Sequence, residues 1–274
     1  MAKITASEVN KLRQHTGAGM MDCKKALTEA EGDFEAAVDI LRKKGQKVAA
    51  KRADREASEG CVLAATNDDQ SYGAIVSLNC ETDFVAKNES FVALTQSILD
   101  AAVAHQIENK EALLSTKLDE LTVEEKLTEQ TGVIGEKLEI GGFETLQAPF
   151  VASYIHAGNK LASLVGLSSR APEAGHNVAM QAAAMNPVAL NREGVPQETI
   201  DRELELGKEQ ARQDGKPENL LEKIAEGRLN KFFKENTLVE QEYIRDSKLT
   251  VSKYLQSEDK GLELVGFKRV GLGV

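Results

Sequence analysis

The chain has 274 residues, a formal net charge of −10 at pH 7, 4% aromatic residues and no tryptophan. It is therefore long enough for two or three domains, whose cores must be built mainly from aliphatic side chains. The negative charge argues against direct binding of nucleic acid, because contact with phosphates needs a basic surface. The sequence shows neither an apolar stretch of membrane-spanning length nor an apolar signal segment near its start. We therefore expect a cytoplasmic protein without membrane contact.

Residues 1–45 predict three short helices. Thr5 and Glu8 have the spacing of a capping box at the start of the first helix. A glycine-rich break separates it from a second helix, which begins with two methionines. Asp33 has the position of an N-cap for the third helix, which we expect Gly45 to interrupt.

A run of basic residues follows the predicted helices: Arg42, Lys43, Lys44, Lys47, Lys51, Arg52 and Arg55. The pattern favours a solvated helical linker, and the alternative is a surface for an acidic partner. Residues 1–55 together predict a small head, which buries little apolar area by itself. Modules of this size usually serve in binding.

A period-two, β-rich pattern begins near residue 59. Cys61–Thr66 and Gly73–Cys80 flank a polar turn and predict a hairpin, and an amphipathic helix follows. The same order of strand, strand and helix recurs with Phe150–His156 and Leu161–Leu167. We interpret this as a diverged internal repeat, which predicts an α+β fold with two related core subdomains.

Two later segments, Thr199–Arg212 and Asn219–Lys234, predict a helical hairpin, since each carries an apolar stripe and a Gly-Lys-Pro turn joins them. Two antiparallel helices cannot bury both stripes alone, so we expect the hairpin to serve self-association or partner contact. A β-like tail at Leu262–Val270 returns the chain to the core.

Residues 106–147 form a charged bridge, in which helices are expected at Glu111–Leu121 and Val123–Thr131. The predicted organisation has four parts: the head (1–55), an N-terminal core subdomain (56–147), a C-terminal core subdomain (148–186 and 234–274) and the inserted hairpin (187–233).

Enzyme signatures are missing from the sequence, which contains no phosphate-binding loop, zinc-protease motif or nucleophile elbow. The cysteines lack metal-ligand spacing and indicate reduced thiols: Cys23, Cys61 and Cys80. The histidines are dispersed, and each is better interpreted as a surface or packing residue: His15, His105, His156 and His176. We therefore expect no enzymatic activity, no cofactor and no metal.

Two short segments need a functional explanation. In Gly17–Lys25, Met20 and Met21 are adjacent at a helix start, so they cannot both face the same small core, and exposed methionine is typical of adaptable binding surfaces. In the polar connection Thr82–Asn88, Phe84 is either buried in its own core or displayed. From the residues alone, burial is favoured.

These segments carry a resemblance to a known family. ITASEVNKLRQHTGAGMMDCKKALTEAEGDFEAAVDILRKKG and LNCETDFVAKN closely resemble the bacterial elongation factor Ts family. The resemblance continues more loosely through IHAGNKLASLV and EGRLNKFF…TLVEQEYI…KLTVSKYL, so it covers nearly the whole chain. It implies a ubiquitin-associated-like (UBA-like) three-helix head, two related core subdomains and an inserted helical hairpin.

The resemblance also implies a function in translation elongation. Members of this family bind the GTPase elongation factor Tu and promote release of GDP, so that GTP can bind. The family's TDFV element, which inserts into the GTPase and disturbs its Mg²⁺ site, corresponds to Thr82, Asp83, Phe84 and Val85.

The family's head docks on the nucleotide-binding domain through positions that correspond to Leu12, Arg13, Met20 and Met21. Its second subdomain contacts another domain of the GTPase near the position of His156. Some relatives continue into a further C-terminal helical module that contacts the GTPase.

Two other classes of function stay open. A ubiquitin-like-binding adaptor would explain the three-helix head but not the repeated core or TDFVAKN. An enzyme of unrecognised type would need a cluster of perturbed acid–base groups in a pocket.

Overall fold

The structure, a computed structural model, describes residues 4–273. Outside this range lie residues 1–3, which belong to the predicted head, and Val274, which belongs to the predicted C-terminal subdomain. The helices of the described part are α1 (Ala6–Thr16), α2 (Met20–Glu29), α3 (Phe34–Arg52), α4 (Asp83–Ala86), α5 (Glu89–Ala104), α6 (Lys110–Ser115), α7 (Val123–Ile134), α8 (Pro172–Met185), α9 (Gln197–Gln213), α10 (Glu218–Asn236) and α11 (Val251–Glu258). The strands are β1 (Glu59–Thr66), β2 (Tyr72–Cys80), β3 (Lys117–Leu118), β4 (Leu121–Thr122), β5 (Glu139–Gln147), β6 (Phe150–Ile155), β7 (Leu161–Leu167), β8 (Glu242–Tyr243), β9 (Asp246–Thr250) and β10 (Leu264–Gly271).

The first and third helices begin where their capping residues predict, whereas α2 follows Gly19 without a side-chain cap. Thr5 forms a reciprocal capping box with Glu8, and the Asp33 side chain accepts a hydrogen bond from the backbone N–H of Ala36. The predicted interruption at Gly45 is wrong, because α3 runs unbroken to Arg52. Helix α3 packs against α7 at this position, and that packing outweighs the low helix propensity of glycine.

The two main sheets share one topology, which confirms the predicted repeat. Their strand orders are β1-β2-β5 and β10-β7-β6. In each sheet, the second strand of a hairpin pairs on its other side with a strand from much later in the chain. Strands β6 and β7 are antiparallel, with Phe150 opposite Leu167, and a helix follows each hairpin. The predicted C-terminal strand is also confirmed as β10, although α11 and the short pair β8–β9 were not predicted.

The charged bridge differs from its prediction. The first expected helix is limited to α6, and the two-stranded ladder β3–β4 follows it. The chain turns between these strands at Asp119, whose φ is 58°, and Thr122 then starts α7 through a capping box with Glu125. Strand β5 was missed because its glycines hide a period-two pattern. Gly141 lies so close to Asn79 that an added Cβ would approach that side chain to 2.4 Å.

Helices α9 and α10 confirm the predicted hairpin and contact each other through small residues. A Cβ on Gly207 would lie 3.0 Å from the Cα of Ala225, and Ala211 is fully buried. Leu206 and Leu220 remain exposed, so only part of each apolar stripe is covered within the hairpin.

The described chain divides into two compact units. The first contains residues 4–63, 76–143 and 271–273, and the second contains residues 64–75 and 144–270. The first three helices thus belong to the same unit as α7. The predicted division into four parts stays a prediction.

Candidate functional site

The segment Thr82–Val85 forms a tight turn at the end of β2 and enters the single-turn helix α4. The Thr82 hydroxyl oxygen lies 3.5 Å from the backbone N–H of Val85 and caps that helix. Ala86 is buried, whereas the Phe84 side chain is 85% exposed. The expectation from the residues alone, that Phe84 is buried, is therefore wrong, because a helix of one turn has only one inward face, and Ala86 occupies it.

The backbone of this turn is held by a carboxylate from a distant part of the chain. Glu136, in the loop between α7 and β5, accepts hydrogen bonds from the backbone N–H groups of Glu81 (3.1 Å) and Thr82 (3.0 Å). The Thr82 hydroxyl also donates to Glu136, at 2.6 Å. On the other side of the turn, the Cys80 thiol donates to the carbonyl of Thr82, at 3.2 Å. The turn is therefore well fixed although its Phe84 side chain is exposed.

Glu81 connects the same turn to two other elements. Its carboxylate accepts from the backbone N–H of Lys137 (2.7 Å) and from the guanidinium of Arg52 at the end of α3 (2.7 Å). These hydrogen bonds, that of Lys137 first, lower the pKa of Glu81 below its ordinary value. The last turn of α3 is thus joined directly to the start of the Thr82–Val85 segment.

Beyond the turn, Lys87 and Asp83 form an ion pair at 2.6 Å, one helical turn apart. Both side chains are substantially exposed, so the pair adds little to stability. Its effect is local, since it fixes the position of the Asp83 carboxylate beside Phe84.

Two of the buried thiols, those of Cys80 and Cys23, lack the character of nucleophiles. Burial, with the nearby Glu136 carboxylate as the next cause, raises the pKa of Cys80 to about 12. Burial also raises the pKa of Cys23, although that residue lies near a helix start. Both thiols stay protonated at neutral pH and serve as packing residues.

The predicted head residues divide into exposed and buried side chains. Met20 and Met21 are 52% and 65% exposed, and Arg13 is also exposed. Leu12 is fully buried in the core of the three helices, where it packs among Val9, Cys23 and Leu27. In the free protein the Leu12 side chain therefore supports the exposed surface from within, and its expected contact with a partner stays a prediction.

His156 lies at the exposed end of β6, in the second unit. Its Nδ1 is 3.1 Å from the Tyr154 hydroxyl, and the Tyr154 ring also packs edge-on against His176. The sequence does not predict that both histidines contact Tyr154, because His156 follows a strand and His176 lies in a helix, and the two come together only in the folded chain.

Within residues 4–273, no group of three or more His, Cys, Asp or Glu side chains has an arrangement suited to a metal ion. The described helices also include none with the length and apolar character that crossing a membrane requires.

Comparison with known proteins decides the family. The sequence profile described as Elongation factor TS matches residues 81–274. Elongation factor Ts of Christiangramia forsetii is 62% identical over 276 residues, covering 100% of both chains. This chain belongs to the elongation factor Ts family. Further members are those of Flavobacterium psychrophilum, at 55% identity over 100% of both chains, and Amoebophilus asiaticus, at 53% identity over 98% of this chain and 99% of the relative.

For this elongation factor Ts family member, sequence reasoning identified the TDFV segment but missed the residues that hold it. In the sequence, Arg52 is distinguished only as one member of a basic run, and Glu136 only as one residue of a charged bridge. Glu136 follows Gly135, which ends α7 in the left-handed conformation at φ 80°. A helix-ending glycine followed by an acidic residue was the one available signal, and it does not reveal a partner more than fifty residues away.

Proposed function

We propose that this chain is a guanine nucleotide exchange factor for the GTPase elongation factor Tu. In this proposal it binds the GDP-bound GTPase and inserts the Thr82–Val85 turn near the Mg²⁺ and phosphate site, so that GDP leaves and GTP can enter. Membership of the family supports the general role. One observation carries the mechanism: an aromatic side chain, Phe84, is 85% exposed on a turn whose backbone is tightly anchored.

The physical basis of exchange is thermodynamic linkage. GDP and Mg²⁺ are held by phosphate-binding backbone groups and metal ligands of the GTPase. A wedge that favours a conformation with those groups displaced weakens GDP, and GDP weakens the binding of the wedge by the same factor. Burying a Phe side chain in a partner contributes about 1.5–3 kcal/mol, which corresponds to roughly a tenfold to hundredfold effect.

Additional contacts are proposed to supply most of the binding energy. On the head, Arg13, Met20 and Met21 are exposed and form a candidate surface for the nucleotide-binding domain of the GTPase. His156, held by Tyr154, is a candidate contact for another domain. The exposed Leu206 and Leu220 support a contact role for the hairpin, in self-association or with a partner.

The setting of this function follows from the proposal. A translation factor acts where ribosomes act, so we propose a cytoplasmic location, with a protein rather than a nucleic acid or a membrane as the direct partner. The net charge of −10 agrees with a protein partner. The adaptor alternative draws support only from the three-helix head, whereas the family match covers residues 81–274.

The proposal is tested by Phe84→Ala. Because the side chain is exposed, the free energy of unfolding should change by no more than about 0.5 kcal/mol. The rate of labelled GDP release from elongation factor Tu, measured at saturating factor, should fall by roughly tenfold to a hundredfold. Wild-type release with wild-type stability would refute the wedge.

Two variants serve as controls for this experiment. Val265→Ala removes another exposed apolar side chain, 46% exposed, and should leave GDP release at the wild-type rate. Phe91→Ala removes a phenylalanine of α5 that is 1% exposed, and should cost about 3–5 kcal/mol of stability. The contrast between Phe84 and Phe91 separates a displayed aromatic side chain from a structural one.

A further inference from the structure

We propose that Glu136 is a positioning residue for nucleotide exchange, whose carboxylate holds the Thr82–Val85 turn in the conformation that presents Phe84. This inference rests on the proposed function and deepens it. It concerns a residue that lies outside the TDFV segment and reaches the turn only through the fold.

Three hydrogen bonds converge on the Glu136 carboxylate from two consecutive residues. One oxygen, Oε2, accepts from the N–H groups of Glu81 and Thr82, and the other, Oε1, accepts from the Thr82 hydroxyl. Hydrogen bonds to an ionised group are shorter and stronger than neutral ones. A carboxylate that binds two adjacent N–H groups and a hydroxyl fixes both the backbone and the side-chain rotamer of the turn.

The chain before Glu136 is shaped to deliver this carboxylate. Helix α7 ends at Gly135, whose φ of 80° is a conformation that side chains other than glycine rarely adopt. Thr131 stabilises the same ending, since its carbonyl accepts from Gly135 and its hydroxyl accepts from the N–H of Leu138. The loop that carries Glu136 is therefore set by α7 rather than by the turn that it contacts.

The anchored turn has a direct consequence for binding. A flexible loop that carries Phe84 would lose conformational freedom when it enters a partner, and that loss would subtract from the binding free energy. With Glu136 in place, the ordering has already occurred in the free protein. Without it, the N–H groups of Glu81 and Thr82 turn to water, and more conformations of Phe84 become accessible.

The test compares Glu136→Gln with Glu120→Gln, which neutralises an exposed carboxylate in the β3–β4 turn. Thr82→Val is a second variant, because it removes the hydroxyl bond to Glu136 but leaves the two N–H bonds to that carboxylate; it also removes the hydroxyl cap on the N–H of Val85. Hydrogen exchange of the Glu81 and Thr82 amides should accelerate about tenfold in Glu136→Gln, whereas the amides of α5 should stay within about twofold. In Glu120→Gln, the exchange rates of the Glu81, Thr82 and α5 amides should all stay at their wild-type values.

GDP release from elongation factor Tu is measured over a range of factor concentrations. In this proposal other contacts supply most of the binding energy, so the cost of ordering the turn falls on its insertion into the bound GTPase. Glu136→Gln should therefore lower the plateau rate about tenfold. A purely structural loss would reduce the folded fraction, so it would shift the half-saturating concentration and leave the plateau unchanged. Thr82→Val should lower the plateau by a smaller factor in the same direction.

Comparison with Phe84→Ala distinguishes the two proposals. If Glu136 acts through Phe84, the double variant should release GDP no more slowly than Phe84→Ala by itself. A wild-type plateau for Phe84→Ala overturns the wedge. A wild-type plateau for Glu136→Gln, with a reduced one for Phe84→Ala, overturns only the positioning role, as does unchanged amide exchange at Glu81 and Thr82.

Discussion

The Glu81 carboxylate illustrates how one side chain can couple distant segments. It accepts hydrogen bonds from Arg52, at the end of α3, and from the backbone of Lys137, at the start of the path into β5. Its side chain is 17% exposed, so solvent screens these interactions less than it screens those of a surface pair. Removing the charge of Glu81 should therefore lower the free energy of unfolding of the whole protein.

The first prediction concerns the pH dependence of that stabilisation. Interaction with Lys137 and Arg52 lowers the pKa of Glu81 in the folded protein below its ordinary value of 4.5. The stabilisation is therefore fully present above that ordinary pKa and is lost as the pH falls through the lower, folded-state pKa. Glu81→Gln should cost about 1.5–3 kcal/mol at pH 7.

This prediction is checked by melting temperatures of the wild type and Glu81→Gln between neutral and acidic pH. The difference in melting temperature between the two proteins should be constant in the neutral range and should decrease below the ordinary pKa of Glu81. Glu120→Gln, an exposed control, should show no such narrowing. A gap that widens on acidification would contradict the assignment of a lowered pKa.

At the scale of elements, the crossing of α3 and α7 is built on two glycines. An added Cβ on Gly132 would lie 2.3 Å from the Cα of Gly45, a distance that real Cβ atoms do not reach. Glycine in a helix interior costs about 1 kcal/mol relative to alanine. The close approach of the two backbones offsets this cost and explains why α3 continues through Gly45.

The second prediction follows from this contact. Gly132→Ala should force the helices apart and destabilise the protein by about 1–3 kcal/mol, in spite of the better helix propensity of alanine. Gly227→Ala, in α10, is the matched control, because nothing lies within 4 Å of its added Cβ. It should stabilise by about 0.5–1 kcal/mol. Denaturant unfolding measures both, and a stabilised Gly132→Ala variant would contradict the crossing.

At the scale of the whole molecule, the head is less independent than a small binding module would be. Val133 of α7 packs against the core of the first three helices, and the end of α3 reaches Glu81 through Arg52. The first three helices and α7 lie in one compact unit. That residues 1–55 can be removed without unfolding the rest of the chain stays a prediction. Loss of these contacts should, however, lower the stability of the remaining protein.

The third prediction compares two deletions. Removal of residues 1–55 should leave the remaining chain folded by circular dichroism, but with a melting temperature lower by at least about 5 °C, because α7 loses its packing partner. Binding to elongation factor Tu should weaken strongly. Unchanged affinity would mean that the head does not dock on the GTPase.

The matched deletion replaces residues 201–228 of the hairpin with a short Gly/Ser link. This change keeps the small core of Ala189, Val195 and Phe233 at the base of the hairpin. It should shift the melting temperature less than removal of the head does, because α9 and α10 pack mainly on each other. A molten or aggregated product would show that the hairpin supports the main core.

Most of the helices and strands of this protein follow from local patterns in its sequence. Capping residues such as Thr5, Asp33 and Thr122 start helices through bonds that span three residues, so local spacing predicts them. The repeated strand–strand–helix order follows from local hydrophobic patterns for the same reason. The resemblance of LNCETDFVAKN to its family likewise identified the candidate turn without any structure.

Which side chains are exposed, and which residues hold them, depends on contacts between elements that are distant in the sequence. Burial of Leu12 and exposure of Phe84 depend on which neighbouring elements cover each position, and the continuation of α3 through Gly45 depends on the approach of Gly132. Glu136 reaches Thr82 across 54 residues. Such contacts form because the chain folds back on itself, and a pattern with a range of a few residues carries no information about them.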